Sequence, residues 1–245
     1  MNRTLQLIKN DLRQIAGDPM LAFSLLGPAL LLAFARFGLP LLAEPLERIA
    51  GIQLHEADTL LLSFFILLIP LLIGMVSGFM MLDERDERLI QFFGVTPLGK
   101  YGYLRYRLLL PVLVCIVFCL MFFGFSGLTV TNWWALPIPL LLLVVEAPML
   151  ALFLLAFASN KIEGLALSKG AGIVVFAPLA AYFIPMPWQL AAGLLPTYWP
   201  AAAIQLQLSA DEAPKSIMTA IYGIGILYHT FLMIYLLRRF NRMME

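Results

Sequence analysis

Six stretches of some twenty apolar residues, at about 20–43, 59–82, 108–129, 136–158, 171–187 and 217–237, constrain this chain more than any other feature. A helix of roughly 20 apolar residues spans the hydrocarbon core of a bilayer, and helices satisfy their own backbone groups there. Composition agrees: 62% of the residues are hydrophobic and 13% charged, with mean hydropathy +0.91. A soluble domain of this length needs more charge to cover its surface. The predicted class is an all-α integral membrane protein with six transmembrane helices, forming one domain over 1–245. The net charge of +1 says nothing about nucleic acid, because the basic residues are spread between the spans, and no nucleic-acid partner is expected. No cleavable signal is expected, because the first apolar run is too long, contains Arg36 and lacks a small-residue cleavage site. Cys115 and Cys119 lie one helical turn apart in an apolar run and read as small core residues.

Ahead of the spans, residues 2–17 predict an amphipathic helix that lies in the membrane surface. Leu5, Ile8, Leu12 and Ile15 recur at 3-4-3 spacing, with Arg3, Lys9 and Arg13 on the other faces. Gly17 ends it, and Asp18 with Pro19 can cap the next helix. The connecting segments then alternate between two sides. The N-terminal helix, the segment 83–107, the turn near 161–169 and the C-terminal tail hold nearly every Lys and Arg, whereas the opposite loops hold Arg48 and Lys215. The basic side, with both termini, is therefore expected in the cytoplasm of a bacterial inner membrane. Trp133, Trp134, Trp188 and Trp199 fall near the other boundary, as an aromatic belt does. The apolar segment 188–208 is interrupted by Pro196 and Pro200. A seventh span there would put Arg238, Arg239 and Arg242 outside, so 188–216 is expected to be a re-entrant or interfacial piece on the outer side.

The densest charge is Asp83-Glu84-Arg85-Asp86-Glu87-Arg88, directly after the second span. Glu84 and Arg88 have the favourable i,i+4 order, and Gly94 is a plausible helix stop. Leu89, Phe92 and Phe93 would give such a helix an apolar knob for a cytosolic partner, or would dip back into lipid. Taken together, the N-terminal helix, the six spans and the loop DERDERLIQFFGVTPLGKYGYLRYR at 83–107 resemble the permease subunit of ABC-2 type ATP-binding-cassette exporters. The broken segment LLPTYWPAA at 194–202 is similar to the piece these permeases carry before the last span. The resemblance covers nearly the whole chain. It implies that 83–97 docks on a separate cytosolic ATP-binding subunit, with Glu84, Glu87, Arg88, Phe92, Phe93 and Pro97 transmitting force. It also implies a homodimer or a heterodimer with a related permease, surrounded by membrane lipids, and no bound cofactor. The short outer loop 44–58 and Glu146 in span four depart from the family pattern. A haem-exporter-like permease has a similar layout, and a stand-alone secondary transporter is the competitor without an ATPase.

Three local motifs suggest other chemistry and carry less weight. Gly94-Val95-Thr96-Pro97-Leu98-Gly99-Lys100-Tyr101 nearly matches a phosphate-binding loop. It ends in Tyr where Mg²⁺ needs a small hydroxyl, and Pro97 removes a backbone donor. ATP hydrolysis therefore belongs to another polypeptide. Gly124-Phe125-Ser126-Gly127 is similar to the G-x-S-G of rhomboid intramembrane proteases. Ser126 lies at the end of span three, however, and His229 is some 18 Å down span six, too far for a nucleophile and its base. His55-Glu56 lacks the second histidine of a zinc motif, which Thr59 replaces.

Arg36, Glu146 and His229 lie inside apolar runs, where ionisable groups turn to the protein interior or to a wet path. By residue count they fall about 10, 15 and 18 Å from the outer boundary. They could share a layer, with Glu146 paired to Arg36 or to His229. They either line the export path or hold helices together. An apolar path favours a hydrophobic or amphipathic substrate such as a drug, peptide or lipid-like compound. The many prolines within the spans mark kinks.

Overall fold

The computed structural model describes residues 3–50, 57–89, 99–128, 134, 136–185, 187–208 and 214–243. These residues form helices and, among them, no strand. The amphipathic α1 (Arg3–Gly17) leads into α2 (Pro19–Ala33), a π-helical turn (Phe34–Gly38) and α3 (Leu39–Ala50). Then come α4 (Asp58–Asp86), α5 (Gly99–Phe125), α6 (Pro137–Phe157), α7 (Lys161–Ala171) and α8 (Ala177–Phe183). The chain closes with α9 (Tyr198–Leu208) and α10 (Lys215–Met243). Among the described residues six stretches are long and apolar enough to cross a membrane: Leu21–Ile49, Asp58–Asp86, Tyr101–Phe125, Pro137–Phe157, Lys161–Phe183 and Lys215–Arg242. The six-span class therefore stands. Several spans run further than hydropathy alone indicates, because their charged ends stay helical.

The start of α2 has the expected cap: Asp18 Oδ1 accepts from Leu21 N–H at 3.4 Å. The fifth span begins at Lys161 instead of 171, because Asn160 caps α7 by accepting from Glu163 N–H at 2.9 Å. Glu163 reaches back to Ser159 N–H at 2.7 Å. This reciprocal cap carries the helix through Glu163 and Lys169, which hydropathy excludes from a span.

At the centre, α4 packs against α6. Both are apolar all round, as a helix enclosed by other helices must be. Without water to drive association, such helices hold by close packing of small residues. A methyl group placed on Gly74 would lie 2.6 Å from the Ala147 carbonyl oxygen, and one on Gly78 would lie 2.8 Å from Leu154. Gly74 and Gly78 are one turn apart and face Ala147 and Ala151, so the backbones themselves make the contact. The outer helices are two-faced. Along α5, Leu104, Arg107, Pro111, Cys115, Cys119 and Phe122 form a buried seam, while Leu109, Leu113 and Val117 are exposed on the opposite side. Along α10 the seam is Ile221, Gly225, His229, Leu236 and Phe240. Both cysteines are free and buried.

The segment before the last span is inserted into the bundle. A 3₁₀ turn over Trp188–Leu194 leads to α9, whose 11 residues rise only about 16 Å, half of a bilayer core. Tyr198 to Gln205 are buried. Gln205 donates to Ser63 Oγ of α4 and to the Pro178 carbonyl of α8, both at 2.9 Å. Thr197 Oγ donates to the Val174 carbonyl at 2.5 Å, and Trp199 Nε1 to the Gly193 carbonyl at 3.1 Å. The piece is broken as expected, and its helix packs among the spans.

Candidate functional site

The ends of α1, α4, α5, α6 and α10 meet in a charged layer that the sequence pattern did not reveal. Glu84, near the end of α4, is buried. Its carboxylate takes two bonds from the guanidinium of Arg107 on α5, one of them Nε to Oε2 at 2.9 Å. It also accepts from Tyr103 Oη at 2.5 Å. Arg107 reaches Asp11 of α1 at 3.0 Å, and Asp11 accepts from Tyr106 Oη at 2.5 Å. The guanidinium thus sits between two carboxylates, each fixed again by a tyrosine, and Asp11 is buried like Glu84. Paired and hydrogen-bonded in this way, buried charges are tolerated; removal of one partner strands the other.

Beside this joint, Lys161 bridges Asp18 at 2.7 Å and Asp83 at 2.8 Å, tying the starts of α2 and α7 to the end of α4. The C-terminal carbonyls of α6, which no turn of its own can bond, are satisfied from two sides. Arg85 donates to the Leu155 and Ala158 carbonyls at 3.0 and 2.6 Å. Arg239 of α10 donates to the Ala156 carbonyl at 3.0 Å while stacking 4.2 Å over the Phe157 ring. Two cations at this helix end also suit its dipole.

These contacts change the reading of the charged loop. Glu84 does not pair with Arg88. Helix α4 ends at Asp86, and Arg88 lies past it with φ +60°, so the i,i+4 geometry is never formed. Glu84 is buried, with its carboxylate turned to Arg107 and Tyr103. Glu87 and Arg88 are exposed at the helix end. Phe92, Phe93, Gly94 and Pro97 lie outside the described residues. Asp11, Tyr103, Tyr106 and Arg107 were missed by sequence reasoning. Their signal was a lone acid on the inner side of a basic helix and an arginine on the buried seam of α5.

A second polar site lies within the bundle. Glu146 of α6 and His229 of α10 are both buried, with Glu146 Oε1 and His229 Nε2 3.0 Å apart. His229 Nδ1 lies 2.7 Å from the Gly225 carbonyl. A carbonyl only accepts, so Nδ1 carries hydrogen, and one further proton lies between Nε2 and the carboxyl. His229 also faces a lateral groove of about 310 Å³ lined by Leu142, Val145, Ile226, Thr230, Met233 and Ile234. Arg36 is elsewhere. It sits in the π-helical turn of the first span, exposed, beside a cavity of about 390 Å³ walled by Gly124 and Phe125. A methyl group on Gly127 would lie 3.0 Å from its guanidinium. The expected layer is thus a pair plus a separate arginine. Ser126 accepts from Leu128 N–H at 3.3 Å within its own turn, while His229 is held by Glu146 and Gly225. Among the described residues no group of three His, Cys, Asp or Glu side chains could hold a metal ion.

Six apolar spans, a short buried helix before the last of them and ion-paired ends define a multi-pass membrane protein. Comparison with known proteins is more specific. The chain belongs to the Rv2686c-like family, whose model, described as fluoroquinolones export permease protein Rv2686c-like, matches residues 11–237. The ABC-2 type permease resemblance therefore holds. Two curated relatives are the fluoroquinolones export permease proteins Rv2686c of Mycobacterium tuberculosis strain H37Rv and MT2760 of strain CDC 1551. Each is 29% identical over 229 residues, which cover 91% of this chain and 90% of the relative. No solved structure matches the chain.

Proposed function

We propose that this chain is the transmembrane subunit of an ATP-driven exporter, paired with a second permease copy or a related permease. A separate cytosolic subunit binds and hydrolyses ATP. The observation that carries this reading is the buried joint of Asp11, Glu84 and Arg107, which ties both flanks of the loop 87–98 to the N-terminal helix. A push on that loop moves α4, α5 and α1 together. Glu87, Arg88, Phe92, Phe93 and Pro97 form the docking segment, and Glu84 acts behind it as a positioning residue. The charged end lies in the cytoplasm of a bacterial inner membrane, which the Lys/Arg asymmetry supports. Substrates are hydrophobic or amphipathic, and the relatives' naming makes a fluoroquinolone the first compound to test. Glu146, His229 and Arg36 supply the polar points on its way out.

Docking is tested by replacing Phe92 and Phe93 with Asp. Co-purification with the ATP-binding subunit is then expected to fall at least about ten-fold, since two apolar anchors of an interface contribute well over 1.4 kcal/mol. Unchanged assembly would remove the loop from the interface.

A further inference from the structure

We propose that the cavity between the first span and α5 binds the phosphate or carboxylate head of an anionic amphiphile, with Arg36 as its counter-ion. As a substrate site this rests on the exporter reading; as a binding site it stands alone. Arg36 lies 15 residues along the first span from Leu21, a rise of about 22 Å. An arginine within a span is costly unless it is paired or faces a wet cavity. Among the described residues Arg36 makes no ion pair and no hydrogen bond, so its guanidinium donors are open to a guest. The group is nonetheless held in place against the end of α5. A methyl group on Gly127 would come within 3.0 Å of its Nη1, and Gly127 has φ +81°, a backbone conformation that suits glycine. Arg36 also stands in the π-helical turn Phe34–Gly38, a feature that recurs at functional sites within α-helices.

The cavity beside the guanidinium has a volume of about 390 Å³, in the range of small-molecule sites. Its other walls are Ala29, Leu32, Ala33 and Phe37 of the first span with Gly124 and Phe125 of α5, none of them charged. Ala33, Leu32 and Ala29 precede Arg36 by three, four and seven residues and so continue one face of the helix away from it. The result is a fork of donors at one end of an apolar trough roughly 10 Å long. A phosphate or a carboxylate can accept two parallel bonds from that fork, while its apolar chain lies along the alanines. A cation would be repelled, and a neutral amphiphile would gain no charge-assisted bond.

The test uses the full chain in phosphatidylcholine nanodiscs with a diazirine-bearing hexadecyl phosphate, and with the alcohol of the same chain. Mass spectrometry is expected to locate the phosphate label on residues 29–37 and 124–125. Arg36→Gln should lower that labelling about ten-fold, the size of one charge-assisted interaction, and leave the alcohol's unchanged. Ala33 is exposed, so Ala33→Trp fills the cavity without disturbing the core and should lower it as well. Equal labelling by the alcohol, or unchanged labelling in both variants, would overturn the site. So would unchanged labelling with loss of a two-copy form in Arg36→Gln, which would assign the arginine to an interface between copies. Replacing part of the phosphatidylcholine by phosphatidylglycerol separates the two sources of the anion. Suppressed labelling supports the site as one for a lipid headgroup, and undiminished labelling supports it as one for a free amphiphile. Because no ATP-binding subunit is present, the result does not depend on the exporter reading. Export that is unchanged in an Arg36→Gln complex would remove only the substrate role.

Discussion

The charged end and the Glu146–His229 pair both bury ionisable groups, but they satisfy them to different degrees. At the charged end Arg107 is held by two carboxylates, and each carboxylate is held again by a tyrosine. In the bundle, Glu146 has one hydrogen-bond partner among the described residues, His229. A fully bonded network has a single low-energy arrangement and behaves as a stiff joint. The charged end is thus braced between three helices, whereas the pair joins two.

The contrast predicts unequal costs. Arg107→Ala strands Asp11 and Glu84 together and is expected to cost about 3–5 kcal/mol, read as a large fall in the midpoint of thermal unfolding in detergent. A shift no greater than that of an exposed substitution would mean the joint is not buried in the native protein. His229→Ala strands only Glu146, which can take up a proton, so the expected loss is about 1–3 kcal/mol in the same assay. If it equals the Arg107 effect, the two regions do not differ as described. Gln205→Leu removes two hydrogen bonds that seat α9, at a cost of about 1–2 kcal/mol. Glu87→Gln and Arg88→Gln, both exposed at the end of α4, should stay within about 0.5 kcal/mol.

Much of the fold was legible because hydropathy reports depth in the membrane directly. The six spans, the capping Asp18 and the break at 188–208 all follow from one-dimensional signals. What hydropathy cannot report is the direction in which a side chain points around its helix. Arg36, Glu146 and His229 share a depth by residue count, yet Arg36 turns outward from the first span while the other two meet between α6 and α10. The run 83–88 is the densest charge in the sequence, but Asp83, Glu84 and Arg85 fold back onto Lys161, Arg107 and the carbonyls of α6. Lys161 and Glu163 look like loop residues until Asn160 caps the helix that carries them. The Gly74 and Gly78 contact had a visible signal, small residues one turn apart facing Ala147 and Ala151, and its meaning depends on which helices are neighbours.

The central claim is that the Asp11–Arg107–Glu84 joint carries motion from an ATP-binding subunit into the spans. Arg107→Lys tests it most directly, because the charge stays while the fork that holds both carboxylates is lost. The measurement is ATP hydrolysis and drug export by the reconstituted complex, at equal amounts of assembled subunits. The joint predicts that the complex still assembles while permease-stimulated hydrolysis and export fall together, about ten-fold. Hydrolysis and export at the unmodified level in an assembled Arg107→Lys complex would contradict it.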